Sequence, residues 1–197
     1  MPHSLLDLAT ARAMPWKNGG GETLELAIAP AGAGLDDFAW RISSARVAAD
    51  GAFSRFAGVD RSLALLSGAG LRLRRGDGRV EELHAGGAVA QFPGEEAIAA
   101  TLADGPVGDL NLMTRRGVWR HRLAPLRLHG RQELHNDAAV MLLWCQAGAG
   151  IECRLPDGEM QRLESGQGLL LEDQPGPLAL QAPQPALLYL AWLYRQG

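Results

Sequence analysis

Apolar and polar residues alternate along this chain with a period of two, and hardly any stretch repeats at helical spacing. Over residues 22–29, Thr23, Glu25 and Ala27 alternate with Leu24, Leu26 and Ile28. That is the pattern of a half-buried strand, whose successive side chains leave on opposite faces. Over residues 38–47 the same reading puts Arg41 and Ser43 on one face and Trp40 and Ile42 on the other. A third such stretch, residues 109–116, lies between Gly105-Pro106 and Gly117, with Leu110, Leu112 and Thr114 facing one way and Asp109, Asn111, Met113 and Arg115 the other. A carboxylate, an amide and a guanidinium two residues apart suit a small polar ligand if that face lines a cavity, and face water if it does not.

The pattern also repeats. Residues 63–92 align without a gap on residues 143–172, an offset of 80 (143 − 63 = 80), with Gly68-Ala69-Gly70 on Gly148-Ala149-Gly150, Asp77-Gly78 on Asp157-Gly158, Leu83 on Leu163 and Gly86 on Gly166. In each copy Asp-Gly marks a tight hairpin between short alternating strands. Residues 115–129, basic and containing Trp119, read as the crossing between copies, and residues 187–194 as a strand buried on both faces. Short strands at regular spacing predict an all-β protein of two fused antiparallel barrels or jelly rolls with little helix, divided as 1–118 and 119–197. Strand exchange between the barrels is compatible with this division. The third polar row lies between the repeats, which places it at the joint.

Composition narrows the partners. A net charge of -3 and a pI near 5.9 argue against nucleic acid or an anionic membrane surface, both of which favour basic proteins. No basic-then-apolar leader and no membrane-length apolar run is present, and Cys145 and Cys153 sit in apolar strand-like segments. The expectation is a cytoplasmic protein with reduced core thiols. In a chain rich in Ala, Gly and Arg, Lys17 is the single lysine, and Asn18, Asn111 and Asn136 are the only asparagines. A lone lysine among arginines suggests a need for a compact ammonium or an uncharged amine. Lys17 and Asn18 precede Gly19-Gly20-Gly21, which superficially suggests a phosphate loop, but no Lys-Ser/Thr pair follows and the next segment reads as strand.

The blocks Met14-Pro15-Trp16-Lys17-Asn18-Gly19-Gly20-Gly21 with Thr23 and Glu25, Trp40-Arg41-Ile42-Ser43, Gly51-Ala52-Phe53-Ser54-Arg55-Phe56 with Gly58-Val59-Asp60-Arg61, and Asp109 to Gly117 resemble the HutD/Ves family. Ala57 departs from the proline expected there. The resemblance covers most of the chain and implies a bicupin, two fused cupin-type barrels. It also implies a link to histidine utilisation, in which HutD-type proteins are regarded as regulators without an established catalytic activity.

Cupins that hold a metal do so with a His-x-His pair on one strand face, a Glu and a later His. This sequence has no His-x-His, its histidines 3, 84, 121, 129 and 135 are scattered, and only His135 beside Asn136 and Asp137 forms a cluster. No metal or other cofactor is therefore expected. The expected ligand site comprises Trp16, Lys17, Asn18, Arg41, Ser43, Phe53, Asp60, Arg61, Asp109, Asn111, Met113 and Arg115. Its cations and amides describe a receptor for a small anionic metabolite, because guanidinium forks match carboxylates. In the pathway that the resemblance implies, N-formylglutamate and urocanate are the first candidates. Two other readings remain: a metal-independent enzyme with Lys17 as acid, base or Schiff-base former and Asp109 as its partner, and a protein-interaction module. A homodimer is compatible with each.

Overall fold

The computed structural model describes residues 3–16 and 21–197, and among these there are 19 strands and no helix. No helix of the described residues is therefore long and apolar enough to cross a membrane. In chain order the strands are β1 (His3–Asp7), β2 (Arg12–Pro15), β3 (Gly21–Ala29), β4 (Trp40–Val47), β5 (Gly51–Ala52), β6 (Val59–Ser67), β7 (Leu71–Arg74), β8 (Val80–Leu83), β9 (Val89–Pro93), β10 (Ala99–Leu102) and β11 (Val107–Arg115). They continue with β12 (Trp119–Leu128), β13 (Arg131–Asn136), β14 (Val140–Ala147), β15 (Ile151–Arg154), β16 (Met160–Leu163), β17 (Gln167–Glu172), β18 (Gly176–Gln181) and β19 (Ala186–Arg195). All described pairings are antiparallel.

The contacts divide the chain into two compact units. The first is Ala11–Arg120 with Gln196–Gly197, and the second is the segment up to Thr10 with His121–Arg195. The N-terminal strand β1 thus belongs to the second unit, where it pairs with β17. Residues 115–129, read from sequence as the crossing, contain the boundary between the units at Arg120 and His121, and residues 119–128 run through it as a regular strand, β12, at the edge of the five-stranded sheet. Strand β19 is largely buried along both faces, as its composition predicts.

Each unit has a larger sheet and a four-stranded sheet, and the internal repeat is legible strand by strand. In the first unit β7 pairs with β8 through Leu71 and Leu83, and in the second β15 pairs with β16 through Ile151 and Leu163, 80 positions on. Both hairpins turn on a glycine at φ 88°, Gly78 and Gly158, a left-handed conformation that side chains resist. The register of β6 against β11 shifts at Leu66 and that of β14 against β19 shifts at Gln146, again 80 positions apart. The ungapped alignment does fail in its last strand. Leu63 pairs with Ala90, whereas Leu143 pairs with Leu169 rather than Leu170. The second copy is one residue shorter in the preceding turn, and a one-residue slip would otherwise turn every side chain of β17 to the wrong face.

In the second unit a large apolar cluster fills the space between the sheets. Met141, Leu143 and Cys145 of β14, Leu169 and Leu171 of β17 and Leu188 and Leu190 of β19 are buried in one cluster with Cys153 and Leu163. Both cysteines are free thiols, and burial pushes them up to about 11 for Cys145 and about 12 for Cys153, so neither is a reactive thiolate at neutral pH. In the first unit, Ala45, Val47, Leu63 and Leu65 of the larger sheet (order β2-β3-β4-β11-β6-β9) pack on Leu71, Leu73, Leu83 and Ala100 of the smaller one. That core fills only one end of the unit.

Candidate functional site

Toward the other end, the inward-facing residues of the three central strands of the first unit become polar. The registers place Val47 beside Val107, Ala45 beside Asp109 and Leu65, Ser43 beside Asn111 and Leu63, and Arg41 beside Met113 and Arg61. These are cross-strand rows on one face. The two arginines stand about 10 Å apart across Met113, two strand spacings. The rows line a cup of about 540 Å³, with Trp16, Thr23, Phe53 and Phe56 at its walls and Met14, Leu35 and Ser54 completing the rim.

The polar row is not a solvated face, and it does not lie where the repeat boundary suggested. Every residue lining the cup belongs to the first unit. Asp109 is 2% exposed, Asn111 8%, Arg41 4% and Arg61 7%. Leu110, Leu112 and Thr114, on the opposite face of β11, are buried as well.

Four charges define the electrostatics. Arg41 donates from Nε to Glu25 Oε2 at 2.9 Å and approaches Ser43 Oγ at 3.5 Å, so its charge is largely matched inside the cup wall. Arg61 has no such carboxylate partner among the described residues. Its guanidinium lies 5.1 to 5.5 Å from the ring centroids of Phe53, Phe56 and Phe92 and donates from Nη1 to the Ser54 carbonyl at 3.1 Å. Aromatic faces hold a cation through their quadrupoles without neutralising it. Desolvation pushes Arg61 down to about 10, opposed by the charge of Asp109, and it remains cationic at neutral pH. Asp109 accepts from the Ala45 amide at 3.0 Å, yet burial raises it to about 7 against that bond and the charge of Arg61. Two buried polar atoms here have no hydrogen-bond partner among the described residues, Arg61 Nε and Asn111 Oδ1.

Of the expected site residues, the structure brings together Trp16, Arg41, Ser43, Phe53, Arg61, Asp109, Asn111 and Met113. Lys17 and Asn18 lie outside the described residues. Two assignments need correction. Asp60 leaves β6 on the face opposite Arg61, because neighbours on a strand cannot share a face, and it accepts instead from Arg116 Nη2 at 2.7 Å. Arg115 has the right parity but stands at the end of its strand. It donates to the carbonyls of Phe38 (3.3 Å), Ala57 (3.2 Å) and Asp36 (2.8 Å), and so ties together the two loops that carry Leu35 and Phe56. Arg115→Ala should therefore lower stability by about 1–2 kcal/mol in a urea melt.

Sequence reasoning left Glu25, Thr23, Phe56 and Phe92 out of the site. The first two were signalled by their parity with Arg41 and Ser43. A β-bulge between Glu25 and Ala27 breaks the strict alternation expected of β3, so that Ile28 pairs with Arg41 and joins the inner face with Phe38 and Met113. His135 is exposed, while Asn136 caps its turn by accepting from Ala138 N and donating to the Gln174 carbonyl. Among the described residues, the group of side chains close enough to converge on a cation is His3, Asp157 and Glu159 in the second unit, none of which lines the cup.

The twin barrel serves as an internal control. By strand pairing, Arg61 corresponds to Met141, Asp109 to Leu188, Asn111 to Leu190 and Met113 to Trp192. One scaffold thus occurs twice, with apolar side chains at these positions in one copy and buried charge around a cavity in the other.

Comparison with known proteins accords with this architecture. Residues 8–189 match the family described as HutD. An uncharacterized 21.2 kDa protein in the hutC 3′ region of Pseudomonas putida is 36% identical over 168 residues, 85% of this chain and 86% of that one. Protein Ves of Citrobacter koseri is 39% identical over 188 residues, 92% of each chain. The crystal structure of a conserved protein of unknown function from Pseudomonas aeruginosa PAO1 superposes with a TM-score of 0.91 at 34% identity, covering 98% of this chain and 100% of that one. At the level of fold alone, the chain is similar to a cupin 2 conserved barrel domain protein from Leptotrichia buccalis, with a TM-score of 0.61 at 9% identity over 92% of this chain and 96% of that one.

Proposed function

This chain belongs to the HutD family, which is linked to a histidine-utilisation locus, and from that premise we propose that the cup of the first unit is a receptor for a small carboxylate intermediate of histidine breakdown. The observation that carries the reading is the pair of unpartnered polar atoms, Arg61 Nε and Asn111 Oδ1, in a cavity whose counterpart barrel is apolar at the matching positions. A buried polar group without a partner costs about 1–3 kcal/mol, and a ligand that offers an acceptor to Arg61 Nε and a donor to Asn111 Oδ1 would recover that cost. Arg61 supplies the charge that draws an anion, and Arg41, already matched by Glu25, shapes the wall. A charge-assisted bond from a buried guanidinium contributes roughly 1.5–3 kcal/mol. With burial of the ligand, that supports micromolar affinity, about -8 kcal/mol. The receptor would pass its occupancy to a protein partner, as a regulator does.

Asp109 favours a second reading. A carboxyl raised to about 7 in a cavity is poised to exchange protons at physiological pH, as a general acid or base must. One experiment separates the two. A thermal-shift panel of histidine, urocanate, N-formylglutamate and glutamate is expected to yield a hit among the acids, stabilised by about 2.7 kcal/mol at 100 times its Kd, some 5–10 °C. Incubating that hit with the protein should leave it unchanged if the cup is a receptor. Consumption abolished by Asp109→Asn would make the protein an enzyme, and a panel with no shift would leave an interaction module as the better account.

A further inference from the structure

Resting on the carboxylate-receptor reading above, we infer that the ligand is an acid that also carries an N–H donor, its carboxylate held by Arg61 and its N–H received by Asn111. Asn111 is more than nine-tenths buried and its Oδ1 has no partner. As placed, the Asn111 oxygen has no donor among the described residues, and an N–H from a ligand would satisfy it. The neighbours across the strands do not help. On one side is the hydrocarbon of Leu63; on the other is Ser43, whose hydroxyl accepts from Arg41 Nη1 and makes no hydrogen bond to the Asn111 oxygen.

The second unpartnered atom, Arg61 Nε, is a donor and so requires an acceptor, which a carboxylate supplies. The two requirements fall within one small molecule. Asn111 is paired with Leu63, and Arg61 lies two residues along the same strand, which makes Asn111 and Arg61 diagonal neighbours about 7–8 Å apart at the backbone. With side chains converging on the cup, an acid whose N–H lies a few bonds from its carboxylate spans the gap. N-acylated amino acids and acids bearing a ring N–H form that class. An acid without the donor would dry the cup and leave the Asn111 oxygen orphaned, which costs more than water already there. Asp109, one step along the same face, already accepts the Ala45 amide through Oδ1.

The test uses matched probes with the full-length protein in titration calorimetry. N-formylglutamate is compared with its N-methyl derivative, which keeps the carbonyl and carboxylates but has no N–H, and urocanate with cinnamate, which keeps the planar acid without a ring N–H. In at least one pair the N–H member should bind 10-fold or more tightly. Asn111→Leu should bring the members of that pair to within about 3-fold by weakening only the donor. Leucine is the residue that the twin barrel holds at the matching position, and Asn111→Ala carries the same comparison should the leucine variant fail to fold. If none of the four acids binds, the receptor reading falls. If acids bind without discrimination, the receptor stands and this inference falls. Discrimination that survives in Asn111→Leu overturns the assignment to Asn111, and its loss in Asp109→Asn instead would move the acceptor to Asp109.

Discussion

Asp109→Asn should stabilise the ligand-free protein by about 4 kcal/mol at pH 8 and leave it nearly unchanged near pH 4. The folded carboxyl is raised from 3.8 to about 7, with burial as its main cause. Below pH 4 it is protonated in both folded and unfolded chains, and its contribution to stability is fully present. As pH rises toward 7 the unfolded chain releases a proton that the folded chain retains, so stability falls by about 1.4 kcal/mol per pH unit and levels off once the folded group ionises. Asparagine does not titrate, and its Oδ1 can still accept the Ala45 amide. Denaturant melts of both proteins from pH 4 to pH 8 check this. A difference that is flat across the range would mean that Asp109 ionises as freely when folded as when unfolded. The same group should govern ligand uptake. An anion entering beside Asp109 favours its protonated form, so carboxylate affinity should weaken as pH rises through 7 in the wild type and stay level in Asp109→Asn.

How much of this was legible beforehand follows from the physics of each element. Where a strand alternates, parity alone determines which side chains can meet. Arg41, Ser43, Asp109, Asn111 and Met113 were assigned to the right faces because β4 and β11 are regular over those residues. The same rule, applied to Asp60 and Arg61 together, would have excluded Asp60. A bulge defeats parity at Glu25 and Ala27, and a turn one residue shorter does so before β17. Loops carry no period at all, so nothing in the sequence announced that Phe53 and Phe56 would close with Phe92 around Arg61. The fate of Arg115 was equally hidden, since a guanidinium at a strand end goes to whichever carbonyls its neighbouring loops offer. A cavity, finally, is a matter of summed side-chain volume. Two copies of one strand pattern differ at a few inward positions, such as Met141 against Arg61 and Leu190 against Asn111, and the polar copy lines a cup.

Arg61→Met, which installs the twin barrel's residue at the matching position, is expected to weaken carboxylate binding by roughly 10- to 100-fold while leaving the ligand-free protein at least as stable. The guanidinium is desolvated and its Nε is unpartnered, so its replacement by an apolar chain among Phe53, Phe56 and Phe92 forfeits little of the folding energy. What it does forfeit is the cation that opposes the rise of Asp109. The titration of Asp109 should accordingly move above 7 in Arg61→Met, and the effects of Arg61→Met and Asp109→Asn on stability should not add. Arg61→Lys is the discriminating control. It keeps the charge but not the Nε donor or the planar face that packs on three rings, so it should recover only a small part of the lost affinity. Calorimetry on the three variants with the best acid from the panel decides the matter. Affinity retained within about 3-fold in Arg61→Met would mean that the carboxylate is held elsewhere and that the aromatic cage serves the loop rather than the ligand.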